Sequence, residues 1–195
     1  MTTRRILGID PGIARMGYGV IESTGNHLKP IVFGCIETPA HAPVGARLQQ
    51  IYHELGSILA EHKPDVMAVE ELFFNRNTTT AFTVGQARGV AILAGVQAGV
   101  QLSEYTPMQV KLAVVGYGKA SKTQVQEMVR VLLGLVERPK PDDTADALAV
   151  AITHAHTAPL NHLLQGEPHA QGMRAANNSP LVQMRAVNRG KERLR

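Results

Sequence analysis

The stretch Arg5-Ile6-Leu7-Gly8-Ile9-Asp10-Pro11-Gly12 decides how the chain folds. Its apolar residues are typical of a central β-strand that is buried on both faces. Asp10 follows at the carboxyl end of that strand, where Pro-Gly turns the chain. Asp before Pro-Gly is common in turns, so Asp10 is either a turn residue or a metal ligand held by a rigid strand. The rest of the chain distinguishes these two interpretations.

The chain has 195 residues, of which 44% are hydrophobic. This is enough for one domain with a sizeable core and too little for two. From Pro159 onward the composition shifts to Gln, Gly, Asn, Pro and Arg without periodicity. We therefore predict one α/β domain over residues 1–158 and a basic, disordered tail over residues 159–195.

Charge and cysteine content limit the partners and the cellular location that the protein can have. The net charge is +4, which suits a nucleic-acid partner without requiring one. A single cysteine, Cys35, rules out a disulfide framework. No stretch has the length and apolarity of a membrane span, and no signal-peptide pattern is present. These features predict a cytoplasmic protein with no membrane partner.

The spacing of apolar residues predicts a mixed five-stranded sheet flanked by helices. Besides the first strand, strands are expected at 17–21, 27–38, 66–69 and 102–105, and helices at 44–62, 81–100, 123–135 and 144–156. Short turns join the first three strands into an antiparallel meander, and a crossover helix makes the strand at 66–69 parallel to the first. This order resembles that of a ribonuclease H-like domain.

Four acidic residues require explanation: Asp10, Glu70, Asp143 and Asp146. Two end buried strands, and the other two lie three residues apart at a helix start, where both can face one side. Acids also favour helix starts through capping, so the second pair alone is ambiguous. Together the four carboxylates predict a site for Mg²⁺, with Mn²⁺ as a substitute. Such a site can hold two ions about 3.5–4 Å apart, as in many nucleases.

Two further segments suggest contact with nucleic acid. The segment Phe73-Phe74-Asn75-Arg76-Asn77 follows Glu70, and we expect one of its rings to be buried and the other to stack on an unpaired base. Residues 111–121 read as a basic, glycine-containing loop that could begin with a helical turn. Its Lys111 and Lys119, with Lys122 just beyond, are candidates for phosphate contacts, although a solvated basic face is the alternative.

Three other functions deserve comparison. A kinase or ATPase of the actin and sugar-kinase type also opens with a strand, an Asp and a Gly turn, but it needs two domains and a second glycine-rich phosphate segment. A binding module for branched DNA is a second alternative. The four acids argue against it, because carboxylates that face phosphates weaken binding unless metal ions bridge them. A nuclease of the same fold with another nucleic-acid substrate is the third possibility.

The motifs taken together resemble the RuvC family of bacterial Holliday-junction resolvases. They are ILGIDPG, GYGVI, VEE-x-FF-x-x-N, GQARGVAI, QVK-x-x-VVGYGKASK-x-QV and D-x-x-DALA-x-AITH, and they run almost continuously from residue 6 to residue 156. The resemblance implies a ribonuclease H-like homodimer that makes paired, symmetric nicks in opposing strands of four-way junction DNA. The resemblance implies that the cut strands carry 5′-phosphate and 3′-hydroxyl ends. It also implies that RuvA and RuvB are partners of the protein.

The resemblance also implies roles for individual residues. Asp10, Glu70, Asp143 and Asp146 match the family's catalytic acids, and some members have His where Asp143 stands. Phe73 matches an aromatic residue that inserts at the junction, with Arg76 in the same loop. Lys111 and Lys122 match basic positions that contact DNA. The helix predicted at 81–100, rich in small residues, falls where the family's subunits pair.

Overall fold

The computed structural model describes residues 2–71 and 78–165, with side chains over 2–71 and 81–158. The strands are β1 (Thr3–Asp10), β2 (Arg15–Thr24), β3 (His27–Glu37), β4 (Val66–Glu70) and β5 (Gln101–Tyr105). The helices are α1 (Val44–His62), α2 (Thr78–Gln97), α3 (Pro107–Val115), α4 (Lys122–Leu132) and α5 (Asp142–Gln165).

The five strands form one sheet in the order β3-β2-β1-β4-β5. β1, β2 and β3 pair antiparallel, whereas β4 is parallel to both β1 and β5. The predicted mixed five-stranded sheet is therefore confirmed, as is the parallel pairing of the first strand with the strand at 66–69.

Helices cover both faces of the sheet. On one face Leu7 and Ile9 of β1 belong to a core shared with buried residues of α1 and α2. On the other face Ile6 of β1 and Ala68 of β4 belong to a core shared with α3, α4 and α5. Side chains alternate along a strand, so every second residue of β1 faces α5. Gly8 and Asp10 are among these residues.

Glycines on β1 and β2 allow α5 to lie unusually close to the sheet. A Cβ built on Gly8 would overlap the carbonyl oxygen of Ala147, and a Cβ built on Gly17 would overlap that of Asp143. Because the obstacle is helix backbone in both cases, a side chain at either position would push α5 outward. The glycines therefore set the height of α5 above the sheet.

The structure corrects the extent of the helix at residues 111–121, where the sequence allowed only one helical turn at the start of a loop. α3 occupies the first half of that segment, so Lys111 lies on a helix. The Thr106 hydroxyl accepts a hydrogen bond from the Gln109 N–H while the Gln109 side chain accepts one from the Thr106 N–H, and Gly116 ends the helix with a positive φ of 79°. Thr106 therefore caps α3, and Pro107 follows in its first turn, where a missing N–H removes no helical hydrogen bond.

The last helix also extends further than predicted. α5 continues to Gln165, past the expected end near His156 and through Pro159. A proline removes one helical hydrogen bond, but it does not prevent the helix from continuing beyond it. The chain divides into two compact units, Met1–Pro159 and Leu160–Arg195, and the described part of the second is the end of α5. The disordered tail stays a prediction.

Within the described residues, no helix combines the length and apolarity needed to cross a membrane. The expected cytoplasmic location stays a prediction.

Substituting Gly8 by Ala tests the close packing of α5 against β1. The added methyl group would meet α5 backbone atoms, which cannot rotate away, so we expect a loss of about 1–3 kcal/mol in the free energy of unfolding. The melting temperature should fall by about 2–4 °C for each kcal/mol. Thermal unfolding monitored by circular dichroism measures this change.

Gly56→Ala on α1 is the matched control. A Cβ at Gly56 meets nothing within 4 Å, so the variant should be as stable as the parent or more stable by up to about 1 kcal/mol. Equal melting temperatures for the two variants would contradict the proposed close contact.

Candidate active site

Two of the four acids lie side by side at one edge of the sheet. β1 and β4 pair in parallel with Ile9 opposite Val69, so Asp10 and Glu70 end neighbouring strands in the same register. Ala68, two residues before Glu70, faces the core beneath α5. By the same alternation that applies to Asp10, Glu70 also faces α5. The edge of the sheet thus presents two carboxyl groups toward one helix.

The first turns of α5 supply the other two acids. Gly17 is the strand partner of Asp10, and the backbone of Asp143 lies directly over it. Asp146 is three residues further along and faces the same side of α5. The glycine that allows close packing therefore also brings the start of α5 to Asp10.

Burial and mutual repulsion raise the pKa values of three of these acids. Burial is the largest cause for Asp10, and the charges of Glu70, Asp146 and Asp143 add to it, so the pKa of Asp10 is raised to about 8. Burial and then Asp146 raise the pKa of Glu70 to about 7. The pKa of Asp146 is also raised, mainly by burial. The four acids thus form one electrostatic group that does not hold four negative charges readily.

Two predicted lysines lie beside this group. Lys122 Nζ is 2.9 Å from Asp146 Oδ2 and 3.7 Å from Asp142 Oδ2. Lys122 begins α4, where Ser121 and Gln124 form a capping box that fixes the helix start. The positive charge of Lys111 on α3 acts to lower the pKa of Glu70. In the part of the chain described, no ion pair joins the exposed Lys119 to the acids.

The acids suit a hard divalent cation. Asp143 Oδ2 is buried and has no hydrogen-bond donor among the described residues, although Arg15 lies within ion-pair distance. Carboxylate oxygens are the ligands that Mg²⁺ and Mn²⁺ prefer. Over residues 2–71 and 78–165, no three His, Cys, Asp or Glu side chains already converge as a metal cage. A cation would therefore have to draw the carboxylates together, and Asp146 would have to turn from Lys122.

Sequence reasoning missed two arginines that contact the acids. Arg15 Nε lies 3.2 Å from Asp143 Oδ2. Arg88 on α2 donates from Nε to the Glu70 carbonyl oxygen at 3.3 Å and also pairs with Glu104 on β5. Both contacts join residues far apart in the chain. The available signal was a basic residue just after the Asp10 turn and another within a helix of small residues.

Some predicted residues lie elsewhere. Phe73, Phe74 and Arg76 fall outside the described residues, so their expected contacts stay predictions. His154 is buried, and its Nδ1 lies 2.8 Å from the Tyr105 hydroxyl oxygen. Burial and this contact give His154 a place in the core.

Comparison with known proteins identifies the family. Residues 6–154 match the family described as "Crossover junction endodeoxyribonuclease RuvC". A protein of that name from Desulfitobacterium hafniense is 61% identical over 161 residues, covering 83% of this chain and 98% of the relative. A protein of the same name from Brevibacillus brevis is 62% identical over 151 residues, which cover 77% of this chain and 91% of the relative.

A solved structure agrees in fold. It is described as Thermus thermophilus RuvC in complex with Holliday junction substrate, and it matches with a TM-score of 0.77 and 39% identity. The match covers 81% of this chain and 96% of the other. The predicted ribonuclease H-like fold is thereby confirmed, and the kinase interpretation is excluded. The chain belongs to the RuvC family of crossover junction endodeoxyribonucleases.

Proposed function

We propose that this nuclease resolves Holliday junctions by symmetric paired nicks in opposing strands, during homologous recombination and DNA repair. Hydrolysis would leave 5′-phosphate and 3′-hydroxyl ends. The observation that carries this proposal is the group of four carboxyls from β1, β4 and α5, which share one electrostatic environment and are flanked by lysines. Family membership supplies the class of enzyme, and the acids supply a means of cutting phosphodiesters.

The RuvC family is metal-dependent, and we propose that Asp10, Glu70, Asp143 and Asp146 hold two Mg²⁺ ions, for which Mn²⁺ can substitute. When bound, the ions would supply an activated water and stabilise the leaving 3′ oxygen. Burial and the neighbouring acids raise the pKa of Asp10 further than that of Glu70, which supports its placement at the centre of the site. Arg88 would keep the end of β4 in position through its hydrogen bond to Glu70.

The lysines would bind the phosphates on either side of the cut. Lys122 is half-exposed and close to Asp146, so its ammonium group can reach both the acids and an incoming strand. Lys111 approaches from α3 beside Glu70. Lys119 and, outside the described residues, Phe73 and Arg76 would add contacts further from the cut. A lysine is a compact charge with three donors, which suits phosphate.

We further propose that the chain works as a homodimer, because a two-fold junction presents two strands to be cut. Exposed apolar side chains on one stripe of α2 support this pairing. Phe82 is 75% exposed, and Leu93 and Val96 lie on the same side of the helix. A Cβ built on Gly89, between them, meets nothing within 4 Å, so a partner helix could come close there. RuvA and RuvB are the further partners that we propose, in the cytoplasm.

Stability should depend on pH in a way that reports the four acids. In the folded chain Asp10 and Glu70 keep protons up to about pH 8 and about pH 7, whereas their ordinary pKa values are 3.8 and 4.5. The folded state therefore binds more protons, and the stability that these groups contribute is present below about pH 4 and falls as the pH rises toward about 8. Without divalent cations, the melting temperature should fall across this range.

Asp10→Asn provides the comparison. In EDTA at pH 8 the variant should melt several degrees above the parent, since each kcal/mol shifts the melting temperature by about 2–4 °C. Mg²⁺ should raise the melting temperature of the parent and have less effect on the variant. Identical pH profiles for the two proteins would contradict the assigned repulsion.

Cleavage of a synthetic four-way junction tests the activity itself. With Mg²⁺, the full chain should make paired nicks in the junction and leave a linear duplex of the same sequence uncut. Asp10→Asn should lose cleavage by a factor of at least about 10³ while it still binds the junction, because loss of a key electrostatic group costs about 10²–10³ or more.

Glu61→Gln is a matched control, since Glu61 is an exposed carboxylate on α1 and its removal should not change cleavage. Equal cutting of the duplex would indicate a general nuclease of the same fold. Junction binding without cleavage in either Mg²⁺ or Mn²⁺ would indicate a binding module and refute the mechanism.

A further inference from the structure

An exposed apolar patch lies on α3 and on the loop that follows it. Met108 is 62% exposed, Leu112 is 48% exposed and Tyr117 is 57% exposed. We call these three residues the α3 patch. Neighbouring exposed side chains of this size commonly mark a surface that binds a partner.

The loop that carries Tyr117 folds back on α3 beside Met108 and Leu112. Met108 and Leu112 are one helical turn apart. A Cβ built on Gly118 would lie 3.3 Å from Met108 Cγ and 3.6 Å from Leu112 Cγ, so the loop backbone packs against both. The carbonyl oxygen of Tyr117 accepts a hydrogen bond from the Ala120 N–H at 3.0 Å, which holds the loop in this turn.

Two lysines on the same segment as the α3 patch approach the four acids. Lys111 lies between Met108 and Leu112 on α3, and its charge acts on Glu70. At the other end of the loop, Lys122 pairs with Asp146 at 2.9 Å. The loop that carries Tyr117 thus connects two side chains that both approach the acids.

The charged side chains of the segment that carries the α3 patch are all positive. Residues 107–122 contain three lysines and no Asp or Glu. An apolar and aromatic surface that carries lysines on the same segment is complementary to a strand of nucleic acid, whose phosphates are negative and whose bases have flat apolar faces. A hydrophobic protein partner would not require these lysines.

We propose that the α3 patch binds the DNA strand beside the cut, with the Tyr117 ring stacked on a base that is unpaired at the junction crossover. This inference rests on the proposed function and adds a second aromatic contact to the one expected from Phe73. Met108 and Leu112 support the ring from the helix side and exclude water from the stacked base. Stacking tolerates any base, so this contact favours open junctions over paired duplex.

Junction binding by the full chain, measured by fluorescence anisotropy in Ca²⁺, tests the proposal. Tyr117→Ala should weaken binding by about 5- to 150-fold, the range measured for the loss of one stacked base. Tyr117→Phe, which keeps the ring, should bind like the parent. Val136→Ala is the control, because Val136 is 99% exposed and lies outside the patch, between α4 and α5.

Salt dependence separates stacking from charge. The logarithm of the affinity falls linearly with the logarithm of salt concentration, with a slope of about −0.9 for each phosphate neutralised on duplex DNA. Tyr117→Ala removes no charge and should leave that slope unchanged. Lys119→Gln should make it shallower by up to about 0.9.

A 2-aminopurine base next to the cut reports stacking directly. Its fluorescence should be quenched by the parent and by Tyr117→Phe, and less so by Tyr117→Ala.

Parent-like binding and quenching by Tyr117→Ala would overturn the proposal. So would a loss of the same size in Tyr117→Phe, which would indicate a contact through the hydroxyl group. A change in oligomeric state without a change in DNA affinity would assign the α3 patch to subunit contact instead. Failure of the parent to bind the junction would overturn the proposed function itself.

Discussion

The close contact between the backbone of α5 and the glycines of β1 and β2 is the constraint on which the candidate site depends. Gly8 lies under Ala147, and Gly17 lies under Asp143. Because Gly17 is also the strand partner of Asp10, the same contact that packs the core brings the start of α5 to the end of β1. A side chain at either glycine would separate the two pairs of acids. Core packing and assembly of the site are therefore one structural requirement.

This arrangement carries an energetic cost. Burial and like charges raise the pKa of Asp10 to about 8, so the acids oppose their own ionisation in the folded chain. Lys122 offsets part of the repulsion through Asp146, and Arg15 does so through Asp143. A site that stores repulsion binds cations well, because the cation relieves it. Such a trade of stability against function is common at active sites.

The sequence predicted the parts of the site that depend on local periodicity. Alternation along β1 and β4 and the crossover through α1 placed Asp10 and Glu70 at one edge. The helical spacing of Asp143 and Asp146 placed them on one face. The contacts of Arg15 and Arg88 depend on which elements meet in three dimensions, and no local pattern encodes that. Most of α3 was not predicted because Thr-Pro both ends strands and starts helices, and the Thr106–Gln109 capping box is the signal that marks its start.

Titration of the full chain with Mn²⁺, followed by electron paramagnetic resonance, tests most directly whether acids from separate elements form one cation site. Parent protein and the Glu61→Gln control should bind Mn²⁺ equally. Asp10→Asn and Asp146→Asn should each weaken binding by about tenfold or more, although the two residues lie on different elements, because each ion–carboxylate contact is strong in a partly buried site. Unchanged Mn²⁺ binding in either variant would contradict the shared site.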